Sequence, residues 1–152
     1  MPDLGKFFGK MEETASDSLQ QHSLHFLEAA FRTDRQGKIA HPDGYGIRVG
    51  DCGDTIEIFL SVEESIIRRV SFVIDGCLNT VACANAIADL TEGRPVSEAW
   101  KINADIIARY LETLPEDHFH CAELASGAMY LALSDYQRIH RENWKKAYMQ
   151  RV

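Results

Sequence analysis

Two runs of alternating hydrophobicity lie close together in this chain and leave its first layer little choice. Ile56, Ile58, Leu60 and Val62 alternate with Thr55, Glu57, Phe59 and Ser61. Val70, Phe72 and Ile74 repeat the pattern after the short connection Glu63-Glu64-Ser65. A period of two puts alternate side chains on one face of a strand. Strands joined this tightly pair antiparallel, because a parallel crossover needs a dozen residues or more. Tyr45 to Val49 offers a third strand, completing a meander.

The other segments read as helices. Leu24, Leu27, Ala30 and Phe31 have helical spacing, with Leu19 earlier, and that helix is expected to end near Gly37. His41-Pro42-Asp43-Gly44 is a turn. Asn79 or Thr80 is expected to cap a helix reaching about Thr91, with Val81, Ala84, Ile87 and Ala88 on one face, and Gly93-Arg94-Pro95 stops it. Ser97 to Lys101 forms a short helix, and Asn103 caps one carrying Ile106, Ile107, Tyr110 and Leu111. After Leu114-Pro115, a long helix from about Asp117 turns Ala125, Ala128, Met129, Ala132 and Tyr136 inward. Strands first and helices afterwards predict an α+β fold: a small three-stranded antiparallel sheet packed on one face by several helices, the last of them long. Residues 1–18 read as a flexible segment, 19–140 as one domain and 141–152 as a basic helical tail.

The length of 152 residues suits one domain, and 45% hydrophobic residues supply a core. The net charge of -7 argues against nucleic acid or anionic membrane as the main partner. No stretch reaches the length of a membrane span and the first residues lack an apolar secretory core, so a cytoplasmic protein with reduced thiols is expected. Residues 138–152 hold five Lys/Arg against one acid. That basic end is a solvated helix terminus or a contact for an acidic partner.

The chemistry lies in three short motifs: Cys52-Gly53-Asp54 before a strand, Gly76-Cys77 between strand and helix, and His120-Cys121 at a helix start. Thiolate, imidazole and carboxylate are the protein ligands of zinc and iron. The spacing excludes a zinc finger, which wants paired C-x2-C ligands, so the fold must assemble any site. Helix starts favour thiolate. Cys77 and Cys121 are therefore expected to ionise readily, and five ligands for a four-coordinate ion would permit exchange. Plainer roles exist for each residue: Asp54 as a turn cap, either cysteine as a small filler, His120 as a surface residue like His118. Cys83, six residues after Cys77, reads as core.

In this order the motifs resemble the IscU/NifU N-terminal-like iron–sulfur cluster assembly scaffolds. The resemblance runs from about Tyr45 to Tyr136. It takes in Cys52-Gly53-Asp54, Val70-Ser71-Phe72 leading to Gly76-Cys77, Thr91 to Ala99 (similar to the family's G-K-T-L-D-E-A segment), Leu114-Pro115, His120-Cys121 and Ala132 to Tyr136. It implies a non-enzymatic scaffold that builds a 2Fe-2S cluster from iron and desulfurase-derived persulfide and passes it to apo-proteins. Cys52, Asp54, Cys77, His120 and Cys121 would be the ligands, Asp54 the labile one and Cys121 the first sulfur acceptor. Zinc would occupy the same residues in the cluster-free form. The implied partners are a cysteine desulfurase and apo-recipients, with a homodimer possible.

The chain also departs from the family. The chaperone-binding stretch L-P-P-V-K reads Leu114-Pro115-Glu116-Asp117-His118 here, so recognition by the specialised chaperone does not carry over. Small residues after Gly76-Cys77 are partly replaced by Leu78 and Asn79. His120 favours the IscU/NifU branch over the zinc-dependent SufU-like branch. The competing reading is a zinc-bound sulfur-transfer protein that activates a desulfurase. A zinc hydrolase lacks its H-E-x-x-H motif and a redox dithiol protein its C-x-x-C.

Overall fold

The computed structural model describes residues 22–51 and 53–150. Its elements are α1 (Leu24–Phe31), β1 (Gly44–Val49), β2 (Thr55–Glu63), β3 (Ile66–Asp75), α2 (Leu78–Thr91), α3 (Val96–Ala99), α4 (Ala104–Leu111), a 3-10 turn (Glu116–His118) and α5 (Phe119–Gln150). The strands form one antiparallel meander in the order β1-β2-β3. The expected α+β architecture is therefore the one found. Residues 1–18, and the last two residues of the basic tail, lie outside the described residues.

Alternation in β2 turns Ile56, Ile58 and Leu60 inward, where they are fully buried with Phe72 and Val70 of β3. Phe59, on the other face, is also buried, covered by Tyr45 at a ring distance of 5.1 Å. The β2–β3 turn uses Glu64 and Ser65, both left-handed at φ 53° and 63°. That is the conformation a two-residue hairpin needs to match strand twist. The free edge of β3 is covered by the loop after α1: Gly37 N–H donates to the Phe72 carbonyl at 2.9 Å, and Phe72 N–H to the Arg35 carbonyl at 3.0 Å. Covering the edge removes a template for pairing with other chains.

Helix α2 runs through the centre and is buried nearly all round, not on the single face expected: Ala82, Cys83, Ala84, Ala86, Ile87 and Ala88 are all inaccessible. Its alanines let α1, α4 and α5 approach from several sides. The expected cap is corrected too, since the helix begins at Leu78 with Cys77 at the N-cap. Asn103 does cap α4, accepting from Ile106 N–H at 3.0 Å.

Helix α1 departs further. It ends at Phe31, well before Gly37, and buries Phe26, Ala29 and Ala30, while Leu24 and Phe31 are exposed. Ser23 sets this rotation: its hydroxyl caps Phe26 N–H at 3.1 Å and donates to the Leu111 carbonyl at 2.9 Å. Asn85 of α2 then donates to the carbonyls of Ala29 at 2.7 Å and Arg32 at 3.1 Å. These polar anchors outweigh the apolar periodicity of a two-turn helix.

The 32-residue α5 crosses the sheet and projects beyond it, its end exposed after residue 140. Among the described residues no helix is long and apolar enough to cross a membrane. Glycine makes the crossing over β1 possible: a Cβ on Gly46 would overlap the Ala132 backbone and lie 2.5 Å from the Ala128 carbonyl oxygen. Gly46→Ala must push strand and helix apart. We expect a loss of about 1–3 kcal/mol, read as a lower midpoint in chemical denaturation with an unchanged slope.

Candidate metal centre

The last rung of the β2–β3 ladder pairs Thr55 with Asp75, so the residues just beyond, Asp54 and Gly76, lie side by side. Before β2 the chain closes a tight loop: Gly50 N–H donates to the Asp54 carbonyl at 2.7 Å and Gly53 N–H to the Gly50 carbonyl at 3.0 Å. Gly53 has φ +89°, which L side chains rarely adopt. After β3 the chain turns through Gly76 into α2. A Cβ on Gly76 would sit 3.0 Å from the Thr80 hydroxyl and 3.2 Å from the Asp54 carboxylate, so glycine makes room for both.

Across from this edge, the 3-10 turn delivers the start of α5. Cys77 Sγ, Cys121 Sγ and one ring nitrogen of His118 lie within 4.8 Å of one another. His118 Nδ1 is 4.0 Å and His120 Nε2 3.6 Å from Cys121 Sγ. A tetrahedral zinc site puts sulfurs roughly 4 Å apart, so the set is slightly more open than a bound ion would hold it.

Thr80 is the hub. Fully buried, its hydroxyl donates to Asp54 Oδ2 at 3.0 Å and lies 3.5 Å from both Cys77 Sγ and Cys121 Sγ. One hydroxyl thus ties the carboxylate to both thiols.

The two thiols differ. Cys77 is exposed. Burial pushes its pKa up, but hydrogen bonding with the Thr80 side chain and with the Thr80 and Asn79 N–H groups outweighs it, leaving the thiol below its ordinary value. Cys121 is fully buried, and burial pushes it up to about 11 despite the Thr80 hydroxyl. The expected ready ionisation of Cys121 is therefore corrected: its helix start is packed inside, where desolvation of the thiolate exceeds the pull of the helix end. Cys83 is buried, as expected, and pushed well above the ordinary range by burial first and by the neighbouring thiols second.

Of the residues expected at the site, the fold brings together Asp54, Cys77 and Cys121, with His120 at the margin. Cys52 lies outside the described residues. His120 is exposed and lines a cleft of about 380 Å³ with Arg48, Asp51 and Glu123 among others. His118, a surface residue by its sequence pattern, is half-buried and has a ring nitrogen within 4.8 Å of both thiol sulfurs. Thr80 was not seen as a site residue at all. Its signal was present: a hydroxyl three positions after Cys77 shares that residue's helix face.

The model of the NifU-like N terminal domain matches residues 31–143 of this chain. An iron-sulfur cluster assembly scaffold protein, IscU 1 of Archaeoglobus fulgidus, is 36% identical over 104 residues, covering 67% of this chain and 67% of that one. The nitrogen fixation protein NifU of Nostoc sp. is 29% identical over 122 residues, covering 74% of this chain and 41% of its own. In fold, the chain is similar to the N-terminal part of a nitrogen-fixing NifU-like protein from Brucella abortus, with a TM-score of 0.60 at 16% identity, covering 78% of this chain and 94% of that one.

The thiol environments predict an order of alkylation in the metal-free chain. Cys77, exposed and with its pKa lowered, should react with iodoacetamide at a lower pH than Cys121. Cys121 should gain label only as the pH climbs toward about 11, and Cys83 only on unfolding. Tryptic mass spectrometry over a pH series reads this directly. Equal early labelling of Cys77 and Cys121 would contradict the assigned environments.

Proposed function

Because the chain belongs to the family of NifU-like N-terminal domains, we propose that it is a scaffold on which an iron–sulfur cluster is assembled and from which it is released to apo-proteins. The observation that carries this reading is the meeting of two thiols from two helix starts with the Asp54 carboxylate and the imidazoles of His118 and His120 at one edge of the sheet. Cys52, Asp54, Cys77, His120 and Cys121 form the proposed ligand pool, the first by its place in the loop that ends at Asp54. A 2Fe-2S cluster is the proposed cargo, with zinc held by the same residues in its absence.

The donor set suits temporary holding. Thiolates bind iron strongly, whereas carboxylate and imidazole are harder donors that exchange more readily. Cys77 at the surface gives iron an approach, while Cys121 supplies a donor sheltered from water. A pool larger than the coordination number lets one ligand leave as another arrives.

Sulfur is proposed to come as persulfide from a cysteine desulfurase. That donor needs reduced thiols, consistent with work in the cytoplasm, and the three described cysteines are all free. A thiolate attacks the outer sulfur of the donor persulfide, the donor cysteine leaves as thiolate, and a new persulfide forms. We assign first acceptance to Cys121. Its burial requires the partner to open the start of α5 before attack, so small reagents and the desulfurase should label different thiols. With desulfurase and cysteine, the earliest added mass should fall on the Cys121 peptide. Early label on Cys77 alone, with and without zinc, would move the acceptor role to Cys77.

The scaffold reading is tested by anaerobic incubation with iron, cysteine and a desulfurase, followed by iron and acid-labile sulfide analysis. Visible absorption with matching iron and sulfide supports it. Unchanged zinc with no sulfide would favour the zinc-bound sulfur-transfer reading. On the loaded chain, Asp54→Ala should slow the decay of visible absorption several-fold, because a hard exchangeable oxygen is removed. Faster decay would make Asp54 a simple structural ligand.

A further inference from the structure

We propose that Thr80 is a positioning residue of this centre: its buried hydroxyl holds the Asp54 carboxylate beside the two thiols, and through that hold it sets how readily Asp54 trades places with another ligand. This rests on the metal-binding reading above and names a control within it.

The direction of the hydroxyl is the first observation. A buried threonine in a helix can turn its hydroxyl back to the carbonyl one turn earlier. Thr91, at the far end of α2, does so, donating to the Ile87 carbonyl at 2.7 Å. Thr80 is equally inaccessible but stands in the first turn, where the residue four back, Gly76, precedes the helix. Its hydroxyl points out of the helix and donates to Asp54 Oδ2 at 3.0 Å. Glycine at 76 keeps that path open, since a Cβ there would lie 3.0 Å from the hydroxyl oxygen and 3.2 Å from the carboxylate.

The second observation concerns the carboxylate. Asp54 is half-buried, and among the described residues the Thr80 hydroxyl is the one hydrogen-bond donor to its side chain. With Oδ2 held, the group keeps its orientation and Oδ1 is left for an ion. Hydrogen bonds of this kind orient metal-ligating carboxylates. A hydroxyl has a single proton to donate, and an ionised oxygen at 3.0 Å takes it in preference to sulfurs at 3.5 Å. A hard oxygen kept beside two soft sulfurs is at hand whenever a thiolate leaves the ion. Set loose, the same carboxylate turns about its Cα–Cβ bond and competes less. The sulfurs are near enough for a rival route, in which Thr80 works through the thiols, and the test separates the two.

The full chain is loaded anaerobically with iron, cysteine and a desulfurase, and the decay of visible absorption is followed. The variants are Asp54→Ala, Thr80→Val, Thr80→Ser, and Asp54→Ala combined with Thr80→Val. Cobalt(II) spectra of the same chains, without a cluster, report the ligand set. Valine keeps the shape of threonine and removes the hydroxyl, whereas serine keeps the hydroxyl. Thr80→Val is expected to slow decay several-fold, as Asp54→Ala does, and to shift the cobalt bands in the same direction. Thr80→Ser is expected to match the unaltered chain in both. The combined variant should decay within about twofold of Asp54→Ala alone, whereas independent effects would multiply. Circular dichroism checks folding, and Thr80→Ala serves as a second hydroxyl-free variant if valine is not accommodated. A change with Asp54→Ala but none with Thr80→Val or Thr80→Ala overturns the role of Thr80 and leaves the metal-binding reading standing. Faster decay in Thr80→Val does the same, as do fully multiplied effects, which would place Thr80 on the thiols. Cobalt bound with bands unmoved by Asp54→Ala also overturns the inference alone. An unaltered chain that takes up neither cobalt nor a cluster overturns the reading and the inference together.

Discussion

The pairing of Thr55 with Asp75 at the end of the β2–β3 ladder fixes where everything chemical in this molecule lies. An antiparallel register sets the two strand ends opposite each other, so the loop ending in Asp54 and the turn through Gly76 must emerge together. A slip by one residue would turn Ile56, Ile58 and Leu60 to the wrong face of the sheet. Burial of those side chains therefore holds the site in register, at no direct cost in polar contacts.

The helices complete the site with opposite demands. Helix α2 is wedged among α1, α4, α5 and the sheet, which makes its first turn a rigid platform for Cys77 and Thr80. Helix α5 must pass close over β1, and Gly44 and Gly46 allow it: a Cβ on Gly44 would also come within 2.5 Å of the Ala132 carbonyl oxygen. That close passage aims the start of α5, with Cys121, at the platform. Rigidity beneath the thiols and an exposed approach to Cys77 coexist because the start of α2 opens at the surface while the start of α5, with Cys121, is packed inside.

Desolvation divides the labour between the two thiols. Both stand at helix starts and both lie 3.5 Å from the Thr80 hydroxyl. What separates them is water: Cys77 has it and Cys121 does not. The unpaired N–H groups of a helix end favour thiolate, yet that pull is smaller than the penalty for burying a charge without a counter-ion. A bound cation would reverse the balance at Cys121, since a coordinating thiol is deprotonated by the metal itself.

The strands were legible because a period of two over short runs has few alternative readings, and Asn103 was legible because capping is local. The three cysteine motifs and their placement at element ends were equally readable, and they sufficed for the resemblance to cluster scaffolds. The face of α1 was not legible: Ser23 and Asn85 set it through partners 88 and 56 residues away in the chain. His118 and Thr80 escaped for a similar reason. Nothing local distinguishes a histidine in a turn that faces solvent from one that faces two thiols. Local pattern thus determined the elements and the kinds of ligand, because both follow from side-chain type and spacing along the chain. Which side chains gather at the thiols, and which thiol is sheltered from water, only the tertiary structure decided, because distance and desolvation depend on what other elements bring to the same place.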